Sequence, residues 1–158
     1  MIRHANETDL PRILAIYDAA RRFMRQSGNM VQWVNGYPAE ALLRQDIARE
    51  QLYVMEDDTG VYGVFALVIG EEPTYRVIDG AWRDGSPYAT IHRIAGDGSH
   101  RGMLGECVAF ARRISPHLRV DTYADNHVMR RAITRQGFAY CGVIHVADGT
   151  PRMAYELV

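Results

Sequence analysis

The sequence predicts a mixed α/β fold, in which about four helices cover a mixed sheet of about six or seven strands. The order of elements carries this prediction: a strand and two helices, a run of antiparallel strands, two strand–helix units and a closing hairpin. The length of 158 residues suits one domain that buries roughly two thirds of its unfolded surface. Because no repeat, linker or low-complexity segment interrupts the pattern, we expect a single domain over residues 1–158.

The first elements are a short strand and a long helix. Ile2–His4 indicates the strand, and Asn6 or Thr8 is expected to cap the helix that follows. Apolar residues recur at helical spacing between positions 10 and 24, which predicts one buried face. Gly28 ends this helix, because glycine readily adopts the left-handed conformation found after helix C-termini.

A shorter helix and a hairpin come next. Pro38 opens the helix, since proline is favoured in the first helical turn. The strand-like runs LYVME and VYGVFALVIG flank the turn DDTG, which predicts an antiparallel hairpin. A loop is then expected from position 71 to position 87.

The second half of the chain alternates strands with helices. YATIHRIA indicates a strand and MLGECVAFA an amphipathic helix, and LRVDTY indicates the next strand. Asn126 is expected to begin the last helix, and Gly137 to close it. The remaining residues predict a final hairpin.

Charge and composition narrow the functional class. A net charge of −1 argues against a general nucleic-acid binder, which would normally carry a basic face. The opening residues lack the apolar core of a signal peptide, and no stretch reaches about eighteen uninterrupted apolar residues, so we expect a cytoplasmic protein without a membrane partner. Cys107 and Cys141 lie inside apolar patterns, which favours buried, reduced thiols over a disulfide. No metal site is predicted.

The join between YATIHRIA and MLGECVAFA is the most informative feature, and the glycine-bearing turn GDGSHRG forms it. A helix that begins at the end of a strand leaves unpaired backbone N–H groups and the positive end of its dipole aimed at one point, which favours phosphate. The glycines lack the G-x-G-x-x-G spacing of dinucleotide-binding folds, and no Gly-Lys-Ser/Thr of a P-loop follows. The sequence therefore predicts a phosphate turn of another class.

This order of elements resembles the GCN5-related N-acetyltransferase (GNAT) family over essentially the whole chain, as a divergent, small, single-domain member of bacterial type. The segments that carry the likeness are IRHANETDLPRILAIYDAA, LYVMEDDTGVYGVFALVIG, IHRIAGDGSHRGMLGECVAFA and DNHVMRRAITRQGF. The resemblance implies a mostly antiparallel, twisted sheet that is splayed between its fourth and fifth strands. It also implies acetyl-CoA as the co-substrate.

The resemblance assigns cofactor contacts to the phosphate turn. The family writes this turn Arg/Gln-x-x-Gly-x-Gly/Ala, and the matching residues here are Ser99, Gly102 and Leu104, so only the central glycine is kept. The backbone N–H groups expected to face the pyrophosphate are those of His100, Arg101, Gly102, Met103, Leu104 and Gly105. Arg101 is expected to add a charge-assisted contact.

Two further stretches are implied to contact the cofactor. The backbone at Ile94 and Ala95 is expected to pair with the pantetheine arm like an extra strand. Asn126 aligns with an asparagine that commonly contacts the cofactor. Its other role is a helix N-cap, and the two roles do not exclude each other.

Acetyl transfer to an amine requires removal of an amine proton and stabilisation of an oxyanion. Many family members protonate the departing thiolate with a tyrosine four residues before the Gly-Phe pair, and that position here is Ile133. Because isoleucine has no proton to give, either another group substitutes or the thiolate leaves unassisted. Tyr123 and Tyr140 are the candidate acids, by topology only.

His92 is the candidate base. Histidine titrates near neutral pH, and this one lies on the strand expected to face the acetyl group. The alternative is an ordinary strand histidine that a neighbour satisfies. Arg93 is expected on the opposite face of the strand. His145 and Asp121 are weaker candidates for the base.

Acceptor recognition is expected from the aromatic loops, because loops generally vary with substrate while the scaffold stays fixed. Trp33, Tyr75 and Trp82 are the candidate walls of a pocket, and Asp79 is the acidic group expected to orient a cationic amine. The alternative is that such aromatics hold irregular loops onto the core, which we expect of Tyr37.

Three functions are compatible with these features. The leading hypothesis is an acetyl-CoA-dependent N-acetyltransferase that acts by direct attack of a primary amine from a small molecule or a protein. Departures from the family pattern at Ser99, Leu104 and Ile133 motivate the alternative, a catalytically degenerate acyl-CoA-binding regulatory module. A structural interaction domain would leave the phosphate turn unexplained. The sequence leaves the acceptor open and is compatible with a homodimer.

Overall fold

The computed structural model describes residues 1–158, which form eight β-strands and four α-helices. The strands are β1 (Ile2–His4), β2 (Leu52–Asp57), β3 (Gly60–Ile69), β4 (Asp79–Gly80), β5 (Ala89–Gly96), β6 (Leu118–Thr122), β7 (Ala139–His145) and β8 (Pro151–Leu157). The helices are α1 (Leu10–Gln26), α2 (Glu40–Ala48), α3 (Met103–Arg112) and α4 (His127–Arg135). Pairing is mostly antiparallel, with one parallel pair. The predicted mixed α/β fold class is confirmed, with one strand more than expected.

The chain divides into two compact units. The first comprises Met1–Leu67 and Arg93–Met103, and the second comprises Val68–His92 and Leu104–Val158. Strand β5 therefore passes from the second unit into the first. None of the four helices combines the length and the apolar character needed to cross a bilayer.

The first unit contains α1, α2 and an antiparallel meander of β1, β2 and β3. In its register Arg3 is opposite Val54, and Val54 is opposite Val64. The buried apolar residues of this unit are Ala5, Leu10, Ile13, Ile16, Tyr17, Leu43, Leu52, Val54, Val64, Ala66 and Ala95. The α1 residues in this set repeat every three or four positions, which is the periodicity that predicted the helix.

A capped 3-10 turn leads into α1. Asn6 precedes a single 3-10 turn, Glu7–Asp9, and its Oδ1 accepts a hydrogen bond from the Thr8 backbone at 2.9 Å. The Asp9 carboxylate in turn accepts from the Asn6 backbone N–H at 2.9 Å, which completes a capping box. Asn6 therefore caps the 3-10 turn that leads into α1. The N-cap of α1 itself is Asp9, which makes no side-chain cap hydrogen bond, so neither Asn6 nor Thr8 caps α1 directly.

The second unit contains the other strands and most of α3, together with α4. Within it, β5 pairs in parallel with β6 at Ala89–Leu118 and Thr90–Arg119. Strand β6 pairs antiparallel with β8, β8 with β7, and β7 with β4. The parallel ladder ends at Thr90, so His92 lies beyond the part of β5 that pairs with β6.

The two-residue strand β4 was not predicted. Asp79 and Gly80 lie inside the segment that was expected to be a loop. They pair with Val143 and Gly142 of β7. The backbones approach so closely that a Cβ at Gly80 would overlap the Cys141 carbonyl. A strand of this length is too short to show alternation in a sequence, so only the tertiary contact reveals it.

Both cysteines are buried and free, as the sequence predicted. Burial raises the pKa of the Cys107 thiol, and burial followed by the nearby Glu156 carboxylate raises that of Cys141. The reactive form of a cysteine is the thiolate. Neither residue therefore has the properties of a nucleophile.

Candidate active site

The predicted phosphate turn connects β5 with α3 and is held by its own hydrogen bonds. Gly98 and Gly102 have φ angles of +88° and +73°, which glycine adopts without the steric cost that other residues incur. The backbone N–H and the hydroxyl of Ser99 donate to Oδ1 of Asp97 at 2.9 and 2.5 Å. Arg12 of α1 donates to Oδ2 of the same carboxylate at 2.6 Å. The turn therefore has a defined shape before any ligand binds.

The side chain of His100 lies flat on a tyrosine ring in this turn. The ring centroids of His100 and Tyr62 are 3.5 Å apart, with 9° between the planes. The Nε2 atom is 2.8 Å from Oδ2 of Asp57, and Nδ1 is 2.7 Å from the Ser99 hydroxyl. Both ring nitrogens have partners, so this histidine shapes the turn. Its predicted backbone contact with pyrophosphate stays a prediction.

The first side chains of α3 pack into the protein, whereas the outer side of the turn is open. A Cβ at Gly96 would overlap the Met103 thioether, and a Cβ at Gly63 would lie 3.0 Å from its Cε. Leu104 is only 6% exposed, so its side chain does not project into solvent at the helix start. A Cβ at Gly102 would meet nothing within 4 Å. The space on the Cβ side of Gly102, directly before the helix, is therefore open.

Arg101 and Gly105 complete the predicted cofactor stretch. The Arg101 side chain is exposed. A Cβ at Gly105 would lie 3.1 Å from Nε2 of Gln136, so glycine allows α3 to pack closely against the C-terminal end of α4. The two glycines of this stretch thus have different roles: Gly102 provides its backbone angle, and Gly105 allows close packing.

Strand β5 has an irregular backbone at Arg93. Its φ of +53° is left-handed, which costs a non-glycine residue about 1–2 kcal/mol. The Tyr17 hydroxyl holds this conformation by donating to the Arg93 carbonyl at 2.7 Å, and burial raises the pKa of that phenol. The guanidinium donates to the buried Asp46 carboxylate at 2.8 Å. The predicted pantetheine partners, Ile94 and Ala95, follow directly, and Ala95 belongs to the apolar core.

His92 has a carboxylate partner. Its Nε2 is 3.0 Å from Oε2 of Glu72, and the two side chains are 20% and 18% exposed. The other oxygen, Oε1, accepts from the Thr74 backbone at 3.2 Å and from its hydroxyl at 2.9 Å. The His92 hydrogen bond, together with its charge and the Thr74 bonds, lowers the pKa of Glu72 to about 2 despite burial. Arg93, the next residue, has a different carboxylate partner, as expected for neighbours on a strand.

Tyr75, predicted to wall the acceptor pocket, is almost completely buried. Only 2% of it is exposed, and its hydroxyl donates to Oδ2 of Asp121 at 2.6 Å. Burial, followed by the negative charge of Asp121, raises the pKa of the phenol well above its usual value. The ring centroid lies 5.2 Å from that of Trp82 and 6.4 Å from that of His92. Tyr75 is therefore close both to Trp82 of the aromatic loop and to the candidate base, His92.

A cavity of about 400 Å³ lies beside Tyr75, within the range of small-molecule pockets. Its lining includes Tyr75, Ser86, Tyr88 and Arg119. The guanidinium carbon of Arg119 is 4.0 Å from the ring centroids of both Tyr88 and Trp82. The Trp82 indole N–H donates to the Tyr75 carbonyl at 3.0 Å. This bond holds the backbone of the loop at Tyr75.

Trp33 and Asp79 are the other predicted acceptor residues. Trp33 belongs to the first unit, is half-buried and packs its ring 5.5 Å from Tyr17 and 6.4 Å from Tyr37. Asp79 belongs to the second unit, where its side chain is exposed and its backbone pairs with Val143. Their contact with an acceptor stays a prediction.

The candidate acids have different surroundings. Ile133, at the family's tyrosine position, is fully buried and has no proton to give. Tyr140 is 50% exposed and packs edge-to-face against Tyr155 at 5.5 Å. Tyr123 is half-buried, with the Arg152 guanidinium 5.2 Å from its ring centroid. Either tyrosine remains a candidate for the acid.

Asn126 caps α4, which is the structural role considered for it from the sequence. Its Oδ1 accepts from the backbone N–H of Met129 at 3.1 Å. The cap satisfies one N–H group of the first helical turn. Its contact with a cofactor stays a prediction.

The sequence-based predictions did not single out a buried polar cluster, which comprises His117, Arg119 and Glu156. Oε2 of Glu156 is 3.0 Å from Nε2 of His117 and 3.4 Å from Nε of Arg119. Nδ1 of His117 is 3.1 Å from the Ser86 hydroxyl, and the Arg83 backbone donates to Glu156. Polar residues alternate along β6, which signals a solvated strand face. In this protein the aromatic loop covers that face of β6. The alternation therefore marks a buried polar face here, although it usually marks a solvated one.

Neither a protein-family model nor a curated protein sequence matches the chain. Solved structures do match it. A GNAT family acetyltransferase from Streptococcus agalactiae 2603 is 29% identical, with 100% of this chain and 94% of that chain covered and a TM-score of 0.88. A GNAT family acetyltransferase from Listeria monocytogenes is 20% identical, with 99% and 92% covered and a TM-score of 0.73. A GNAT-like decarboxylase in complex with isobutyryl-CoA is 15% identical, with 100% and 98% covered and a TM-score of 0.68.

Proposed function

The chain has the GNAT fold over its whole length, which confirms the resemblance inferred from its sequence, and we propose that it is an acetyl-CoA-dependent N-acetyltransferase. The acceptor is the primary amine of a small molecule or a protein, which attacks the acetyl group directly. The observation that carries the proposal is the full-length match at 29% identity to a GNAT family acetyltransferase. More generally, such neighbours support acyl-CoA-dependent acyltransferase activity.

The turn between β5 and α3 is the proposed pyrophosphate site. The fit rests on the open space at Gly102 and on the inward packing of Leu104, which leave the backbone of the helix start accessible. Backbone N–H groups from His100 to Gly105 would bind the phosphate oxygens, and the exposed Arg101 would add a charge-assisted contact.

The pantetheine arm is proposed to lie along the backbone of Ile94 and Ala95. Asn126 is the proposed side-chain contact, and its Nδ2 group is a hydrogen-bond donor while Oδ1 caps α4. When bound, acetyl-CoA supplies an activated thioester carbonyl. The residues of this chain would orient that carbonyl and exclude water from it.

His92 is the proposed base. As the amine nitrogen bonds to the acetyl carbon, it loses a proton to the imidazole and the carbon–sulfur bond breaks. The released thiolate takes a proton from an acid, for which Tyr123 and Tyr140 are proposed, or from water. The carboxylate beside His92 supports this role, because a nearby negative charge stabilises the protonated ring.

The acceptor is proposed to bind beside Tyr75, in the cavity that Tyr88 and Arg119 also line. Trp82 supports this wall through its bond to the Tyr75 carbonyl. Trp33 is proposed as a further aromatic contact and Asp79 as the group that orients a cationic amine.

Calorimetry with acetyl-CoA, followed by thiol release in the presence of an amine panel, tests the function. We expect saturable binding, amine-dependent release of coenzyme A and an acetylated product by mass spectrometry. A well-folded protein that does not bind acetyl-CoA would sink the proposal.

A catalytically degenerate acyl-CoA-binding module is the second candidate function. The buried Ile133 in place of the family's acid is the observation that favours it. Binding of acetyl-CoA without turnover for any amine in the panel would support this reading over the first.

We also propose that the whole chain acts as one domain in the cytoplasm, without nucleic acid or membrane as a partner. Light scattering at several protein concentrations would distinguish a monomer from a homodimer.

A further inference from the structure

Three histidines of the chain have a carboxylate oxygen within 3.0 Å of Nε2, in the pairs His92–Glu72, His100–Asp57 and His117–Glu156. In two of them the second ring nitrogen also has a partner: a serine hydroxyl lies 2.7 Å from Nδ1 of His100 and 3.1 Å from Nδ1 of His117. Nδ1 of His92 has no hydrogen-bond partner. His92 is therefore the histidine whose second nitrogen can accept a proton without breaking an existing bond.

The carboxylate of Glu72 determines which nitrogen of His92 carries the proton. With a pKa of about 2, Glu72 is ionised at neutral pH, and an ionised carboxylate only accepts hydrogen bonds. At 3.0 Å, Nε2 must therefore be the donor. In the neutral ring the lone pair then lies on Nδ1. The basic atom is thus the same atom that lacks a partner.

Glu72 is itself held in place. Its Oε1 accepts two hydrogen bonds from Thr74, one from the backbone and one from the hydroxyl. Its backbone N–H donates to the Tyr88 hydroxyl at 2.8 Å. The carboxylate cannot rotate without losing the two Thr74 bonds, so its second oxygen stays directed at His92.

Two other ionisable groups near His92, Tyr75 and Asp121, bond each other. Tyr75, whose ring faces His92 from the 3-10 turn Pro73–Tyr75, donates a hydrogen bond from its hydroxyl to Asp121 of β6. Asp121 therefore bonds a neutral phenol, and Glu72 is the carboxylate that bonds His92.

We propose that Glu72 is a positioning residue, which keeps a proton on Nε2 of His92 and leaves the Nδ1 lone pair for the acceptor amine. This inference rests on the proposed function, in which His92 is the base. During transfer the amine proton moves to Nδ1, and Nε2–H stays bonded to the carboxylate. Glu72 takes no proton and stabilises the imidazolium by its charge, as the aspartate does in a serine protease triad.

Ring ¹⁵N chemical shifts of His92 in the free, wild-type protein test the inference without any turnover. At a pH where the ring is neutral, we expect the proton on Nε2. A neutral ring with its proton on Nδ1 would overturn the inference, whether or not the protein is an enzyme.

Glu72→Gln is the matching variant. The Thr74 backbone N–H and hydroxyl would hydrogen-bond the amide oxygen of the new glutamine. Its NH₂ group would then face Nε2 of His92 and donate to it. The ring proton should then move to Nδ1, which removes the basic lone pair. We expect the Nδ1–H tautomer, a kcat lowered about 100-fold or more near neutral pH, and little change in the acceptor KM.

Glu56→Gln is the control, because Glu56 has a similarly exposed carboxylate, at 23%, that bonds Arg3 and not a histidine. It should leave the tautomer and kcat unchanged. If Glu72→Gln matches this control in both, Glu72 has no positioning role. If the wild type acetylates no amine, the proposed function fails, and the tautomers still decide the role of Glu72.

Thr74→Val is the second variant, used if Glu72→Gln does not fold. It removes one of the two bonds on Oε1 and keeps the charge. We expect a mixture of tautomers and a smaller loss of kcat. A pure Nε2–H tautomer with unchanged kcat would show that the Thr74 hydroxyl does not help to hold the carboxylate, against the inference.

Discussion

His92 and His117 make the same contact, a 3.0 Å bond from Nε2 to a glutamate, in different surroundings. His117 is 2% exposed, and Nδ1 bonds Ser86. The His92 side chain is 20% exposed, and its Nδ1 has no partner. A carboxylate beside a histidine therefore does not by itself identify a base. The second ring nitrogen separates a candidate base from a histidine that serves only the fold.

His100 shows that exposure is not sufficient either. Its side chain is 29% exposed, more than that of His92, yet both ring nitrogens are bonded and the ring is stacked on Tyr62. Protonation or loss of this side chain would disturb the phosphate turn. His92, His100 and His117 thus have different roles, and substitutions can test these roles separately.

The largest expected effect is on catalysis. His92→Ala should lower kcat by roughly 10²–10⁴-fold near neutral pH, which is the usual contribution of a general base. His4→Ala, at an exposed histidine of β1 with no assigned catalytic role, is the control and should retain the wild-type rate. Steady-state thiol release measures both. Equal rates in the two variants would remove His92 as the base.

The buried Glu156–His117 pair should contribute more to the stability of the fold than the partly exposed Glu72–His92 pair. Glu156→Ala leaves the buried His117 and Arg119 without their anion, so we expect the free energy of unfolding to fall by about 3 kcal/mol. Glu72→Ala should cost less, because its partly exposed partner His92 can be solvated. Urea unfolding compares the two variants. A larger loss for Glu72→Ala would contradict the distinction between the two pairs.

The pKa of Glu72 should depend on His92. In the wild type it is about 2, and in His92→Ala it should rise towards the ordinary glutamate value of about 4.3. Because the folded pKa lies below the unfolded one, this carboxylate stabilises the fold above about pH 4.3, and the contribution is lost as the pH falls towards 2. Carboxyl ¹³C titration by NMR measures the pKa in both proteins. An unchanged value in the variant would mean that Thr74 alone lowers it.

The smallest expected effect concerns the phosphate turn. Gly102→Asp and Gly102→Asn share the strain of a φ of +73° and the open space around it, so they differ chiefly in charge. We expect the aspartate variant to bind acetyl-CoA about tenfold more weakly than the asparagine variant, because its carboxylate would repel phosphate. Calorimetry gives both affinities. Equal affinities would place the pyrophosphate elsewhere.

Elements with local signals were predicted well. Periodic apolar residues indicated α1, and the glycines of GDGSHRG indicated the turn before α3. Asn126 was recognised as a helix cap. Caps, turn angles and one-sided faces depend on neighbours within a few residues, so a sequence contains the information directly.

The parts that were missed depend on distant partners. Arg93 has a left-handed backbone although it is not a glycine, so the sequence gives no sign of this conformation. Its contacts with Tyr17 and Asp46 hold it. Glu72 was one acidic residue in an expected loop. A proline directly after it, followed by Thr74, is a cap signal that could have marked a 3-10 turn there.

The sequence by itself determined the order of the helices and of every strand except β4, the glycine turn, the absence of the usual acid at Ile133 and a histidine on the strand before that turn. Only the tertiary structure decided that Glu72 meets His92, twenty residues later in the chain, and that a loop buries His117. The physical reason is that local patterns are set by backbone angles and burial of one face. A bond between distant side chains depends instead on how whole strands and loops pack.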